Sequence, residues 1–264
     1  MSSMTPWEII QALVFGFSKS AEELTDSYPE FLQTPGGLYL SVLISICSLL
    51  LATPLGVALG FCRGKNTLLK NQPLKLIPLR LLAHFIITVV RGIPMMIWIL
   101  LVVYHLPYLL LGLRLPAMVL AIIAFTIYAS VYIAESFRSG LRAISPQYCE
   151  AARTLGLSGW QILRHIQLPI ILRVMLPSLL GIGITIFKDT SILVVVAAGE
   201  MSYISRQLQM SEPKSYLFIQ GCVLILYALI AILGTALVKC LEKRISINST
   251  NNNKMNSNFF FRMT

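Results

Sequence analysis

The adjacent Lys188 and Asp189 could carry chemistry, because they lie inside the apolar run 174–199. A charged side chain at the bilayer centre costs about 2.5–3.5 kcal/mol on insertion scales, so it should face a protein interior or a water-filled path. One interpretation is a substrate or gating site, with Asp189 binding an amino group and Lys188 a carboxylate. The alternatives are a structural pair of Asp189 with Arg91, or Lys188 bonding to helix carbonyls. Adjacent helix residues point about 100° apart, so Lys188 and Asp189 do not simply pair.

Residues that could catalyse bond breaking are scattered along the sequence. His84, His105 and His165 lie in separate segments, and the H-E-x-x-H metal motif does not occur. The segment GFCRGKNT is close to a phosphate-binding loop, but Gly60 and Gly64 have three residues between them instead of four. We therefore expect no enzymatic activity, no metal site and no cofactor in this chain.

These residues lie within or between five apolar runs of the sequence. The chain is 56% hydrophobic and 12% charged, whereas soluble domains are about a quarter charged. A helix needs about 20 mostly apolar residues to cross a bilayer, and the runs that meet this length are 38–62, 81–106, 115–134, 174–199 and 215–238. The predicted fold class is an all-α integral membrane protein with five transmembrane helices.

The basic residues predict the orientation of these helices. Fifteen lysines and arginines lie in the segments 63–80, 137–176 and the tail after 238, against four in the segments on the other side. Basic loops stay in the cytoplasm, so we expect the N-terminus outside and the C-terminus inside. The net charge of +10 lies between the apolar runs and not on one basic face, so a nucleic-acid partner is not expected.

We expect the membrane domain to comprise residues 37–244. The segments before and after it differ from it in composition. Segment 1–36 is mixed in composition, and Thr5 and Pro6 there mark the start of a helix too short to span the membrane. We expect that segment to be periplasmic or to lie at the membrane interface. Segment 245–264 is rich in asparagine and is predicted to be a disordered cytoplasmic tail.

Small and helix-breaking residues predict details inside the membrane domain. Gly56 and Gly60, spaced as G-x3-G, permit close packing of the first helix. The segment 91–94, Arg-Gly-Ile-Pro, should interrupt the second span, and such breaks occur where protein or water satisfies the backbone. Glu200 at the outer end of the fourth run is predicted to be interfacial, or alternatively part of an outer gate.

The segment 145–169 is polar, although it lies between apolar runs. Ser145 and Pro146 are a helix start, and Gly156 should end that helix in the left-handed conformation. Ser158 and Gln161 match a capping box for a second helix. The loop is therefore predicted to consist of two short helices joined by a glycine corner.

The surface of this loop suits a socket in another protein, or alternatively the membrane surface. Ala151 and Ala152 are small enough for a partner backbone to approach, and Glu150 offers a carboxylate to a cation. Pro169 is expected to end the second helix, because the residue before proline avoids helical geometry.

The residue spacing in this loop resembles the EAA loop of ABC importer permeases, which has the pattern EAA-x3-G-x9-I-x-L-P. All seven marked positions match, from Glu150 to Pro169. In that family the loop is a coupling helix that docks in a groove of the cytoplasmic ATPase. The resemblance implies that the residues coupling this chain to an ATPase are Glu150, Ala151, Ala152, Gly156, Leu168 and Pro169.

Three further segments resemble the polar amino acid subfamily. They are VVRGIPMMIW (89–98), FKDTSILVVVAAGEM (187–201) and the run YIAESFRSGLRAISPQYCEAA into the EAA loop. The resemblance covers residues 36 to 244 and departs at Ile93, where the family often has threonine. It implies a substrate pathway at Lys188, Asp189, Thr190, Arg91 and Gly92.

The resemblance implies a type I ABC importer permease in a bacterial inner membrane. ATP and Mg would be bound by partner ATPase subunits and not by this chain. Other partners would be a second permease copy or a homologous permease, and a periplasmic or lipid-anchored solute-binding protein. Two alternatives are a self-contained secondary transporter or channel, and a membrane scaffold without a pathway. The EAA loop counts against the first, and Lys188 and Asp189 count against the second.

Overall fold

A computed structural model describes the backbone of residues 5–15, 36–63, 77–105, 107, 109 and 115–261, with side chains up to Lys243 apart from residue 77. The helices are α1 (Pro6–Phe15), α2 (Gly37–Arg63), α3 (Ile77–Gly92), α4 (Met95–Leu100, continued by a π-turn at Leu101–His105), α5 (Ala117–Arg142), α6 (Pro146–Thr154), α7 (Gly159–Ile162, continued by a π-turn at Leu163–Gln167), α8 (Leu168–Asp189, continued by a 3-10 turn at Thr190–Val196), α9 (Met201–Ser211) and α10 (Tyr216–Phe261, preceded by a 3-10 turn at Pro213–Ser215). The part of the chain that the structure describes contains helices and one isolated bridge, Gly37 to Glu200, but no strand. The predicted all-α class is confirmed.

Four helical stretches are long and apolar enough to cross a membrane, namely Gly37–Arg63, Ala117–Arg142, Gly159–Val196 and Pro213–Lys243. The pair of α3 and α4, bent by 110° at the break between them, makes a fifth if the two helices count as one span. These stretches coincide with the five predicted runs, although most of them extend beyond the apolar residues into the polar flanks. The predicted interruption of the second span is confirmed, since α3 ends at Gly92 and α4 begins after Pro94.

The two arms of the broken span pack on different parts of α5. On α4, the Trp98 indole N–H donates to the Ala124 carbonyl at 2.9 Å. On α3, Ile87 and Val90 are buried with Val131 and Ala134, about two to three turns further along α5.

Helices α2 and α5 form the closest pair in the bundle. A Cβ placed on Gly56 would lie 2.6 Å from Ile133 Cβ, and one on Gly60 would lie 2.8 Å from the Phe137 ring. Real Cβ atoms do not approach so closely, so both positions must be glycine for the helices to keep this separation. The predicted close packing at Gly56 and Gly60 is confirmed.

The prediction that Pro169 ends the second loop helix is wrong. Pro169 lies in the first turn of α8, and the helical path runs without a break from Gly159 through the π-turn into α8. Pro169 lacks the N–H that would continue this path, and the π-turn directly before it is an irregularity of the kind found where a helix is disturbed. The loop therefore consists of one short helix, α6, and a second helix that leads directly into a membrane span.

The N-terminal helix α1 docks on the membrane domain. Thr5 and Glu8 form a capping box, with the Thr5 N–H donating to Glu8 at 2.8 Å and the Glu8 N–H donating to Thr5 at 3.4 Å. The inner face of α1 is buried on α9 and α10, whereas Trp7 and Phe15 are exposed. The backbone of α10 is helical to Phe261, across most of the segment for which composition predicts disorder. Residues 16–35 lie outside the described part of the chain.

Candidate functional site

The polar loop presents α6 as a capped, isolated helix. Ser145 has extended geometry before Pro146 in the first turn, and Gly156 has φ +79° after the last turn. The Gly156 N–H donates to the Arg153 carbonyl at 3.0 Å, and the Leu157 N–H donates to the Ala152 carbonyl at 3.1 Å. These two bonds form a Schellman motif, which satisfies the last carbonyls of α6. The predicted left-handed stop at Gly156 is confirmed.

A capping box fixes the start of α7. The Ser158 N–H donates to the Gln161 side chain at 2.8 Å, and the Gln161 N–H donates to the Ser158 hydroxyl at 3.4 Å. Both donors at this helix end are therefore satisfied by side chains within the loop, as predicted. The corner between α6 and α7 is defined by its own hydrogen bonds and needs no partner to form.

One face of α6 is buried against its own chain. Ala152 is 3% exposed and packs with Cys149 and Ile162. The Gln167 side-chain amide donates to the Cys149 sulfur at 3.2 Å and so ties α6 to the π-turn before α8. Among the residues predicted to meet an ATPase, Ala152 therefore points inward and supports the loop.

The opposite face of α6 and the following corner point away from the bundle. Glu150, Ala151 and Gly156 are exposed. So are three large side chains that sequence reasoning missed, namely Tyr148, Leu155 (81% exposed) and Trp160 (69% exposed). Tyr148, Ala151 and Leu155 have the spacing i, i+3, i+7, which was a readable signal for one helix face. Nearby, Leu168 is half-buried and Pro169 is exposed in the first turn of α8. We call the exposed set from Tyr148 to Trp160 the knob.

Lys188, Asp189 and Thr190 lie where α8 tightens into its 3-10 turn. Lys188 is exposed and lines a groove of about 620 Å³ between α8 and α10, together with Tyr227 and Thr235. Asp189 is half-buried, and Thr190 is buried with its hydroxyl donating to the Phe187 carbonyl at 2.7 Å. The three side chains thus point to different surroundings.

Arg91 contacts Glu135 on α5. Its guanidinium is 3.5 Å from Glu135 Oε1 and lies over the Tyr132 ring, 5.6 Å from the centroid. Among the described side chains no ion pair joins Arg91 to Asp189, so the structural alternative proposed for that pair is wrong. Sequence reasoning missed Glu135, although its i, i+3 spacing to Arg138 was a local signal of an ion pair.

Glu200 is buried, so the prediction that it is interfacial is wrong. Its carboxylate caps α9 by accepting the N–H groups of Ser202 at 2.8 Å and Tyr203 at 2.9 Å. The Tyr227 hydroxyl donates to it from α10 at 3.1 Å, and the Ser41 hydroxyl from α2 at 3.4 Å. Burial raises the pKa of Glu200 to about 7, against the lowering effect of the hydrogen bonds that it accepts. One carboxyl group therefore ties three helices together.

The described residues contain no group of three or more histidine, cysteine, aspartate or glutamate side chains placed to hold a metal ion. The surfaces that remain as functional candidates are the knob, the Lys188 groove and the Arg91–Glu135 contact.

Known proteins resemble this chain in sequence over most of its length. The family model described as binding-protein-dependent transport system inner membrane component matches residues 75–247. The glutamine transport system permease protein GlnP of Escherichia coli (strain K12) is 28% identical over 211 residues, which is 80% of this chain and 92% of that protein. The probable amino-acid ABC transporter permease protein YckA of Bacillus subtilis (strain 168) is 29% identical over 176 residues, which is 67% of this chain and 72% of that protein.

Solved structures share the fold. A crystal structure of an amino acid ABC transporter with histidines matches with a TM-score of 0.69 and 23% identity, over 86% of this chain and all (100%) of that one. An inward-facing MetNI methionine ABC transporter matches with a TM-score of 0.62 and 20% identity, over 85% of this chain and 99% of that one. The helical bundle, the polar loop and the family match agree: this chain belongs to the family of binding-protein-dependent transport system inner membrane components, as a multi-pass ABC importer permease homologous to glutamine and other amino acid permeases.

Proposed function

We propose that this chain is the non-catalytic permease subunit of an ATP-driven importer for a polar amino acid. Partner ATPase subunits bind ATP and Mg, and a periplasmic or lipid-anchored binding protein delivers the substrate. A second copy or a homologous permease completes the pathway. The basic loops support an orientation with the N-terminus outside and the C-terminus in the cytoplasm. The membrane domain comprises residues 37–244, between an N-terminal periplasmic or interfacial segment and a cytoplasmic tail.

The geometry of the knob is the observation that carries this proposal. The capped nine-residue helix α6 exposes Tyr148, Glu150 and Ala151, while Cys149 and Ala152 on its inner face are buried. Leu155 and Trp160 are exposed in the corner and the first turn of α7 that follow it. Exposed aromatic and leucine side chains clustered beside a charge are typical of a protein contact. In the proposed complex the outer residues contact the ATPase, and Ala152 and Leu168 hold the knob in place.

The continuity of α7 and α8 supports a mechanical role for the knob. One helical path leads from Gly159 at the knob to Lys188, a distance of about 40 Å at 1.5 Å per residue. A displacement of the knob by ATPase closure is therefore carried along a stiff element to Lys188, Asp189 and Thr190. In the proposed mechanism this motion alternates the opening of the substrate pathway between the two sides.

The proposed pathway begins at the junction of α8 and its 3-10 turn. Lys188 offers a cation to a carboxylate at the groove, and Asp189 offers an anion to an amino group. Arg91 and Gly92 contribute at the break between α3 and α4, where Glu135 holds the Arg91 guanidinium. The half-exposed Asp189 and the exposed Lys188 support access from water.

Substitution of Gly156 tests the proposal. A Cβ at Gly156 meets no atom within 4 Å, so Gly156→Val acts through backbone strain at φ +79° and not through a clash. We expect Gly156→Val to reduce ATPase co-purification and ATP-dependent uptake at least about tenfold, as displacements of about 1 Å in coupled sites do. Asparagine tolerates this conformation, so Gly156→Asn should retain more of both.

Gly221→Val is the matched control, because Gly221 also faces open space and has no positive φ. It should leave ATPase capture unchanged. If Gly156→Val binds the ATPase as well as the unmodified chain does, the knob is not the docking element. Uptake by proteoliposomes that contain only this chain would favour the secondary transporter instead.

A further inference from the structure

Three guanidinium groups meet at the Glu135 carboxylate on α5. Arg63, the last residue of α2, contacts Oε1 directly. Arg91, near the end of α3, is 3.5 Å from the same oxygen, and Arg138 is 3.8 Å from Oε2. Three helices thus bring their charges to one point, which we call the arginine cluster.

The arginine cluster has more positive charge and more donors than Glu135 can balance. Three cations and one carboxylate leave an excess of two positive charges. Each guanidinium has five N–H donors, whereas a carboxylate has about four acceptor positions. The Arg91 side chain is 47% exposed and that of Arg138 is 28% exposed, so their remaining donors can reach an external anion. Arginine binds phosphate well because its planar fork matches two oxygens at once.

The cluster lies at the end of the predicted span 115–134, where lipid headgroups are expected. Glu135 is seven residues before Arg142, the end of α5, which corresponds to about 10 Å along the helix. Tyr132 lies under Arg91, and its hydroxyl is 3.0 Å from the Tyr128 hydroxyl. Tyrosine is enriched at the membrane–water interface, and basic pockets between helices at this level bind lipid headgroups.

An apolar surface continues from the cluster along α3. Leu82, Phe85 and Val89 are exposed with the spacing i, i+3, i+7, and Arg91 follows them at the end of the helix. The opposite face of α3 is buried on α2 and α5. A free phosphate ion would use only the arginines, whereas a phospholipid would use the arginines and this apolar face together.

We propose that the arginine cluster binds the phosphate of an anionic phospholipid, with an acyl chain lying along the exposed face of α3. The lipid supplies the negative charge that Glu135 alone does not, and it holds the bent span against α2 and α5. The site is separate from the knob and from the Lys188 groove, and it shares only Arg91 with the proposed substrate pathway. It can therefore be tested whether or not an ATPase binds.

Native mass spectrometry of the full chain tests this site. The probe is phosphatidylglycerol in competition with phosphatidylcholine. Arg91→Gln and Arg138→Gln should each lower the ratio of retained phosphatidylglycerol about fivefold, because one basic residue at a membrane surface is worth roughly that factor. Arg206→Gln, an exposed arginine on α9, should leave the ratio unchanged.

Glu135→Gln distinguishes binding from loss of structure, because it raises the charge of the cluster. It should increase phosphatidylglycerol retention, whereas general destabilisation would lower it. Equal retention in Arg91→Gln, Arg138→Gln and the unmodified chain would overturn the proposal. So would displacement of the lipid by millimolar inorganic phosphate, which would assign the site to a free anion. Self-crosslinking of Phe85→Cys would also overturn it, by showing that α3 faces a second copy.

Discussion

Two regions of this permease share the same local arrangement of residues but differ in what that arrangement does. Gly156 has φ +79° beside α6, which carries Glu150, and Gly199 has φ +72° beside α9, which begins at Glu200. Each region therefore combines a left-handed glycine, a short helix and a glutamate. Glu150 is exposed on the knob, whereas Glu200 is 0% exposed and accepts four hydrogen bonds.

The difference lies in what packs on each helix. Around Glu200, α2 and α10 supply Ser41 and Tyr227, so the carboxyl group joins elements far apart in sequence. Around Glu150, the loop satisfies its own backbone and leaves the charge outside. The arrangement at Glu200 thus ties helices together within the bundle. In the function proposed above, the arrangement at Glu150 presents a contact to another protein.

Replacing each glutamate by leucine should give the largest difference in stability between the two regions. Glu200→Leu leaves two backbone N–H groups without their acceptor in a buried site and removes one of the partners of the Ser41 and Tyr227 hydroxyls. We therefore expect a loss on the order of 3–5 kcal/mol in unfolding free energy. Glu150→Leu should change it by less than about 0.5 kcal/mol. Thermal or SDS-induced unfolding in detergent measures both, and equal losses would refute the distinction between a buried tie and an exposed contact.

The next largest effect is expected on the pH dependence of stability, through Glu200. The folded pKa of Glu200 is raised by burial to about 7 from the ordinary 4.5, so its contribution to stability is full below pH 4.5 and is lost as the pH rises through 7. A difference of about 2.5 in pKa, at 1.36 kcal/mol for each, corresponds to on the order of 3 kcal/mol. The unmodified chain should therefore lose stability between pH 5 and 8 relative to Glu200→Gln.

Glu150→Gln is the control for this pH experiment. It removes one carboxyl group from the exposed knob and leaves the hydrogen bonds of Glu200 intact. If Glu200→Gln and the unmodified chain show parallel curves, the carboxyl group of Glu200 is not held in the buried environment described above.

Substitution of the two glycines should have smaller effects on stability than Glu200→Leu, and the two effects should be similar. Gly156→Ala and Gly199→Ala each place a Cβ at positive φ without a close contact, since the nearest atom to the new Cβ at Gly199 is 3.8 Å away. Each should cost about 1–2 kcal/mol. Only Gly156→Ala should also weaken ATPase capture, measured by co-purification. An equal loss of capture in Gly199→Ala would mean that the effect is indirect.

Local signals in the sequence predicted much of this fold. The five apolar runs, the glycine contact of α2 with α5, the break at Gly92–Pro94 and the caps at Gly156 and Ser158 depend on neighbouring residues or on composition. The 110° bend between α3 and α4 was not predictable, because the break at Gly92–Pro94 locates a bend but does not fix its angle. Pro169 was misread because the residue before a proline usually avoids helical geometry, whereas here a π-turn carries the helical path into α8.

The candidate site was less predictable because its contacts are non-local. Glu135 pairs with Arg63, which is 72 residues away in sequence. The apolar residues that precede Glu135 do not indicate this partner. Glu200 is bonded to Ser41 across 159 residues, so its burial could not follow from its position at the end of a run. The EAA spacing located the knob, but only the structure shows that Ala152 faces inward while Leu155 and Trp160 face outward.

Photo-crosslinking in intact cells tests the central claim most directly. A photoreactive residue at Leu155, on the exposed knob, should form a covalent product with a nucleotide-binding ATPase subunit, identified by mass spectrometry. The same residue at Arg206 on α9 should not. If the chain inserted in the membrane at normal levels gives no ATPase product from Leu155, the knob does not couple this permease to ATP.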